Sequence, residues 1–121
     1  PLLAILLVVM IGLTWYLSRP KEIPVALGGE TATPLSPDLF TGVVARGYAA
    51  ANEYPDLMDA LYCYCYCQEN IGHKSLLSCF VSRHAASCGV CLQEAITAKM
   101  LFEKGYTVEE IREYVDAKFG S

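Results

Sequence analysis

The residues able to do chemistry in this sequence are its cysteines and histidines. All six cysteines and both histidines fall between positions 63 and 91 of the 121-residue chain, and neither type occurs elsewhere. Thiolates and imidazoles are the side chains that bind soft and borderline metal ions. The clustering predicts a metal site whose candidate ligands are Cys63, Cys65, Cys67, His73, Cys79, His84, Cys88 and Cys91.

Two spacings in this region favour chelation. The cysteines at positions 63, 65 and 67 alternate with tyrosines, so an extended segment would point all three thiols the same way. Cys88-Gly89-Val90-Cys91 at a helix start would place two thiols about one turn apart on one face. The positive end of that helix lowers the pKa of nearby thiols and so favours the thiolate that a metal needs.

The histidines each have two roles open, metal ligand or hydrogen-bonding residue. His73 follows a glycine in a predicted loop, and His84 lies five residues after Cys79. That spacing is off the ideal helical face, so His84 would ligate only if the helix ended at about Arg83. The tyrosines that alternate with the cysteines are predicted to pack against or shield the site.

The number of donors bears on the choice of metal. Eight donors exceed the four that one tetrahedral ion needs, which favours a Cu(I) thiolate cluster or two metal ions. Zinc could take Cys63, Cys65, Cys88 and Cys91, and an iron–sulfur cluster would make the protein an electron carrier. An even number of cysteines also allows a disulfide framework, or a mixture of bridged and ligating cysteines.

The chain that carries this region begins with an apolar segment, residues 1–17. As a helix it would span about 25 Å, nearly a bilayer core, with aromatic and basic residues following at interface positions. We expect a single-pass transmembrane anchor, with membrane lipid as a partner, rather than a signal peptide, because no Ala-x-Ala pattern follows. The C-terminal domain is expected outside the cytoplasm, periplasmic or at the cell surface, although Arg19 and Lys21 alone would keep it inside.

The remaining chain is predicted to be all-α. Residues 18–36 hold three prolines and a Gly-Gly pair, which indicates a linker. Residues 37–121 are predicted to form a small bundle of short helices with a cysteine-rich loop. The start and stop signals place helices over residues 37–54, from Pro55, over 75–84, over 88–104 with Gly105 after its end, and from Thr107.

The net charge and the absence of certain motifs argue against several classes of function. The net charge is −4 and there is no run of basic residues, so we expect no binding to nucleic acid. No nucleophile–base pair or phosphate loop is evident, so we expect no enzyme. The leading hypothesis is soft-metal binding for storage, delivery or resistance. The alternatives are an accessory or electron-transfer subunit, bound to other membrane-protein subunits, and a disulfide-stapled interaction module.

A motif in the cysteine region also suggests a relationship. The stretch Tyr62-Cys63-Tyr64-Cys65-Tyr66-Cys67, the stretch Gly72–Leu77 before Cys79-Phe80, and His84 before Cys88–Leu92 resemble a bacterial family of membrane- or lipid-anchored proteins. That family is named for a Pro-Cys-Tyr-Cys-Gly-Cys motif and has no assigned function. The resemblance covers about residues 48–119 and implies an extracytoplasmic location. Tyr62 stands where the motif has proline and Tyr66 where it has glycine.

Overall fold

The fold is built from short helices. A computed structural model describes residues 1–19, 28–66, 69 and 71–120. Part of the predicted linker, residues 20–27, lies outside these ranges. The α-helices are α1 Leu2–Leu17, α2 Gly42–Glu53, α3 Pro55–Asp59, α4 Gly89–Glu103 and α5 Val108–Phe119. The 3₁₀ helices are Pro37–Leu39, Leu76–Phe80 and His84–Ser87.

The predicted transmembrane anchor is wrong. Helix α1 has 16 residues and is exposed along its whole length. At 1.5 Å per residue such a helix extends about 24 Å, short of the roughly 30 Å of a bilayer core. Across the ranges that the structure describes, no helix combines the length and apolarity that crossing a membrane requires. The single-pass membrane location deduced from the anchor is therefore not supported.

The core lies where α2 and α5 both pack against α4. Tyr48 of α2 is fully buried, stacks on Phe40 at 4.1 Å between ring centroids, and meets Phe80 edge-on at 5.1 Å. Its hydroxyl donates to the carbonyl of Ser82 at 2.6 Å, so the buried polar end is satisfied. These aromatic contacts connect α2 to Phe40, which follows the first 3₁₀ helix, and to Phe80 in the 3₁₀ helix that carries Cys79.

Two predicted helix boundaries are confirmed. Thr107 accepts a hydrogen bond from the backbone of Glu110, whose carboxylate accepts one from the backbone of Thr107, which completes a capping box at the start of α5. Gly105 follows the end of α4 with φ 104°, a left-handed value that glycine adopts without steric cost.

Two other predicted helices are wrong in extent. The helix expected over residues 37–54 is interrupted, because Phe40 is extended (φ −132°, ψ 173°) and α2 begins only at Gly42. The helix expected over residues 75–84 is replaced by the 3₁₀ helix Leu76–Phe80, all of whose residues are buried. A regular α-helix on a small domain buries one stripe, so a segment buried on every side does not fit that geometry.

Residues 28–30 form a short arm that is hydrogen-bonded to Asp59 of the helical bundle. The buried Asp59 carboxylate accepts hydrogen bonds from the backbone N–H groups of Gly29 (3.0 Å) and Glu30 (3.1 Å) and from the hydroxyl of Ser75. The backbone N–H of Gly28 donates to the carbonyl of Asp59 at 3.2 Å. The arm therefore holds the start of the cysteine-bearing 3₁₀ helix in place.

We predict that Gly28→Ala loosens this fastening. An added Cβ would lie 2.4 Å from Cβ of Ser75 and 2.7 Å from the carbonyl oxygen of Lys74, so backbone must move. Overpacking of this kind costs about 1–3 kcal/mol, measurable as a lower free energy of unfolding in urea. Gly12→Ala is the control, because its added methyl meets nothing within 4 Å. Equal stability of Gly28→Ala and wild type would contradict the prediction.

Candidate metal centre

Cys63 and Cys65 lie in a turn rather than in an extended comb. The backbone N–H of Tyr66 donates to the carbonyl of Cys63 at 3.2 Å, which closes the chain on itself. The predicted extended geometry is therefore wrong. The turn nevertheless brings the sulfurs of Cys63 and Cys65 to 2.9 Å from each other. Cys67 lies outside the described residues.

The other candidate ligands come from three further segments. Cys79 lies in the 3₁₀ helix Leu76–Phe80, and His84 opens the next 3₁₀ helix. Cys88 is extended (φ −118°, ψ 102°) and precedes α4 as its N-cap, whereas Cys91 lies in the first turn of that helix. The prediction that α4 starts at Cys88 is thus wrong by one residue.

The sulfur of Cys63 lies at the centre of the site. It is 2.9 Å from the sulfur of Cys65, 3.1 Å from that of Cys79 and 3.3 Å from that of Cys91. Cys91 and Cys65 are also close, with their sulfurs 3.4 Å apart. Cys63, Cys79 and Cys91 are fully buried, so these sulfurs converge in the interior of the domain.

The ligand atoms form three overlapping groups, each with all its atoms within 4.8 Å of one another. We call the first the four-sulfur group and the last the His-Cys-His group. Seven of the eight predicted ligands are thereby brought together. The groups are Cys63, Cys65, Cys79 and Cys91; Cys65, His84, Cys88 and Cys91; and His73, Cys79 and His84.

Both histidines point ring nitrogens at cysteine sulfurs. Nδ1 of His73 is 3.4 Å from the sulfur of Cys79, and Nε2 of His84 is 3.8 Å from the sulfur of Cys65. The helix that carries Cys79 ends at Phe80, before His84, so helical spacing does not keep the His84 ring away from the cysteines. Both rings are half-buried, and they form the side of the site nearer solvent.

The buried thiols share protons. The sulfurs of Cys79 and Cys91 lie within hydrogen-bonding distance of the sulfur of Cys63, and these hydrogen bonds lower the pKa of the Cys63 thiol. The pKa values of Cys79 and Cys91 are raised in turn, chiefly because of their hydrogen bonds to Cys63. A metal ion that binds these sulfurs as thiolates must therefore displace thiol protons.

Burial also favours the ligand form of His73. It lowers the pKa of the imidazole, and the neighbouring His84 lowers it further. The neutral imidazole is the form that binds a metal ion.

The cysteines differ in redox state. Cys63, Cys79, Cys88 and Cys91 are free thiols, whereas Cys65 is disulfide-bonded. The described part of the chain therefore has the mixed arrangement rather than a full disulfide framework. Because the thiolate is the ligand, Cys65 must be reduced before it can join the four-sulfur group.

The sulfurs of the four-sulfur group lie slightly closer together than the sulfurs around a single bound metal ion. Sulfurs around one tetrahedral ion, with bonds of about 2.3 Å, are roughly 3.8 Å apart. The observed separations of 2.9–3.4 Å require each sulfur to move outward by a fraction of an ångström. The arrangement is therefore compatible with binding a soft metal ion.

Glu30, Ser78 and Glu94, which the sequence did not identify, form hydrogen bonds that position the segments carrying the candidate ligands. Ser78 accepts the backbone N–H of Lys74 (3.0 Å) and donates to the carboxylate of Glu30 (2.8 Å). This fixes the loop between His73 and Cys79. On the opposite side, Glu94 accepts the backbone N–H of Tyr64 at 2.8 Å and so holds the turn between Cys63 and Cys65.

Glu94 could have been recognised from its position, three residues after Cys91 and therefore on the buried face of α4. No comparable signal identifies Glu30 or Ser78, because their contact joins positions that are far apart in sequence.

Comparison with known proteins places most of the chain in one family. The family described as "Protein of unknown function with PCYCGC motif" matches residues 30–121. No curated protein and no solved structure shows a significant match. The match supports the family resemblance, but it carries no evidence for membrane or lipid anchoring or for a bacterial source.

We predict that Glu94→Gln raises the free energy of unfolding, relative to wild type, as pH increases. Burial raises the pKa of Glu94 to about 8 from 4.5, and its Oε2 has no hydrogen-bond partner within the described ranges. The folded protein therefore binds more protons than the unfolded chain between these values. Protonated Glu94 makes its full contribution to the free energy of unfolding below about pH 4.5. That contribution is lost as pH rises through about 8, a difference on the order of 3–5 kcal/mol.

The check is urea unfolding of the reduced, metal-free protein at several values of pH. The wild type is expected to lose stability relative to Glu94→Gln over this range, because the other titrating groups are common to both proteins. Glu113→Gln, an exposed glutamate on α5, is the control and should keep the wild-type slope. Identical slopes for Glu94→Gln and wild type would show that Glu94 is ionised in the fold.

We further predict that glycine is favoured at Tyr66. Tyr66 is exposed and has φ 61°, the only left-handed non-glycine residue within the described ranges, at the position where the family's motif has glycine. A Cβ costs about 1–2 kcal/mol in this conformation, partly offset by the greater unfolded-state entropy of glycine. Tyr66→Gly should therefore be about 1 kcal/mol more stable than its control Tyr66→Ala in urea unfolding. Equal free energies of unfolding for the two variants would show that the backbone at this position is not strained.

Proposed function

We propose that the chain, which belongs to the PCYCGC-motif family, binds soft metal ions without catalysing a reaction, and that Cu(I) is its preferred ion. The observation that carries the proposal is the convergence of seven sulfur and nitrogen donors in one cluster. Thiolates select soft ions, and imidazole adds to the affinity for copper and zinc. Storage, delivery or resistance are the roles that such a site would serve.

The donor arrangement favours copper over the zinc site expected from the sequence. That zinc site would use Cys63, Cys65, Cys88 and Cys91, but Cys63 and Cys88 fall in different ligand groups. The group that includes Cys63 is made only of sulfur, the softest donor that proteins offer. Three of its four cysteines are fully buried and Cys65 is half-buried, which protects a Cu(I) thiolate from oxidation by solutes.

The same distances count against an iron–sulfur cluster. Such a cluster places several iron and sulfide ions between its cysteine ligands. Four cysteine sulfurs that all lie within 4.8 Å of one another, with four of the separations only 2.9–3.4 Å, fit a single ion better than a cluster. Electron transfer through an iron–sulfur cluster is therefore the weaker proposal for this geometry.

The test is metal loading of the reduced protein. The protein is treated with a phosphine reductant under anaerobic conditions, and its thiols are counted. It is then titrated with Cu(I) in competition with a chromophoric chelator, and in parallel with Zn(II). We expect tight Cu(I) binding at a fixed ratio, confirmed by elemental analysis. Tight binding of zinc alone would overturn the preference for copper, and binding of neither ion would overturn the proposed function.

We predict that Cys63→Ser combined with Cys91→Ser removes the site. The double variant deletes the central sulfur and a sulfur shared by two ligand groups. Loss of even outer-shell partners weakens metal binding 10–100-fold, so the loss here should exceed about 100-fold in Cu(I) affinity. Tyr64→Phe is the control, because it removes only a hydroxyl that donates to Asp116. Unchanged copper content in the cysteine variant would contradict the assignment.

A further inference from the structure

Three donors lie beside the four-sulfur group without being needed to complete it. Four sulfurs already satisfy one tetrahedral ion. His73, His84 and Cys88 remain, and all three are half-buried on the side of the cluster nearer solvent. Side chains that served only as packing would not need to direct ring nitrogens at sulfurs, as both histidines do.

The His-Cys-His group shares one sulfur with the four-sulfur group. Its three ligand atoms, from His73, Cys79 and His84, lie within 4.8 Å of one another, and Cys79 belongs to both groups. A thiolate sulfur has more than one lone pair and can bind two metal ions at once. Cys79 is thus positioned to bridge an inner ion and an outer ion.

The two imidazoles approach from separate directions. Their ring centroids are 5.1 Å apart and their planes are nearly perpendicular, at 85°. Each ring is carried by a segment with its own restraint. The backbone after His73 donates to the Ser78 hydroxyl at 3.0 Å, and the backbone of His84 donates to the Ser82 hydroxyl at 3.2 Å. The outer donors are therefore held in position by contacts other than those to the four-sulfur group.

We propose that a second soft metal ion binds to His73, Cys79 and His84, bridged to the first through the sulfur of Cys79. This rests on the proposed function, since it adds an outer ion to the inner one. Two imidazoles and one thiolate make a trigonal donor set of the kind that copper uses in proteins. Binding of the inner ion displaces the protons of its thiol ligands, including Cys79, to solvent, and the outer ion then uses two neutral imidazoles and the same Cys79 thiolate.

The two ions would differ in access. The inner ion is enclosed by the buried sulfurs of Cys63, Cys79 and Cys91, whereas the outer ion is bound mainly by half-buried histidines. The outer ion should therefore exchange with a soluble chelator first. An outer, exchangeable ion beside an inner, retained ion is a suitable arrangement for passing copper on while the fold keeps its own metal.

The test compares copper stoichiometry in the full chain and in the variant His73→Asn/His84→Gln. Both proteins are reduced, loaded anaerobically with Cu(I) and freed of excess ion by gel filtration, and copper is then measured by elemental analysis. We expect two copper ions per wild-type chain and one per double variant. Gln93→Ala, an exposed substitution on α4, is the control and should retain two.

The outcomes separate this inference from the proposed function. Equal copper content in the wild type and the double variant, at one ion or at two, would overturn the outer site while leaving metal binding intact. No copper in the wild type would overturn both. If circular dichroism shows that the double variant is unfolded, X-ray absorption of the loaded wild type decides. Nitrogen ligands together with short copper–copper scattering support the two-ion site, and sulfur ligands alone overturn it.

Discussion

The constraint on which the rest of the structure depends is the packing of several ionisable sulfurs around Cys63 in a buried space. The sulfurs of Cys65, Cys79 and Cys91 lie within 3.3 Å of it, and the protons and charges of the free thiols Cys63, Cys79 and Cys91 must be accommodated together. Two or more thiolates there would repel one another strongly in a medium of low dielectric constant. Hydrogen bonds among these thiols lower the pKa of Cys63 and raise the pKa values of Cys79 and Cys91, which favours one charge over several. A metal ion meets it by replacing the protons with a larger positive charge.

The surrounding fold is arranged to hold sulfur-bearing segments that have little regular structure. Helix α4 supplies a rigid support for Cys91, but the turn at Cys63 and the 3₁₀ helix at Cys79 have few internal hydrogen bonds. They are held instead by carboxylates. Asp59 and Glu30 accept hydrogen bonds from the segment around Cys79, and Glu94 accepts one from the turn at Cys63. Carboxylates around a metal site fix the ligands in orientation, so they belong to the function of the site even though none is a ligand.

Sequence reasoning anticipated that the candidate donors lie together, because their restriction to a short stretch is visible without a structure. Seven of the eight are brought together, and Cys67 lies outside the described residues. It also placed the capping box at Thr107 and the glycine after α4, since both depend on local backbone chemistry. It failed where tertiary contacts decide the backbone. Phe40 is extended and stacks its ring on Tyr48 of α2. The Cys63 turn is a different kind of error, because it is closed by a local bond that the alternation of cysteine and tyrosine does not predict. The anchor was predicted because a span of about 25 Å was accepted as nearly sufficient, whereas the 16-residue helix α1 is too short to cross a bilayer core.

Metal binding and folding are therefore expected to be one equilibrium in this protein. A domain of this size is stabilised by roughly 5–15 kcal/mol at most, and binding of a structural metal ion to a thiolate-rich site contributes an amount of the same order. Its interior carries costs that no apolar contact offsets. Glu94 is buried with one oxygen unpartnered within the described ranges, and hydrogen bonds lower the pKa of the buried Cys63 thiol. A bound cation would favour the Cys63 thiolate, so we expect the proposed metal ion to stabilise the fold.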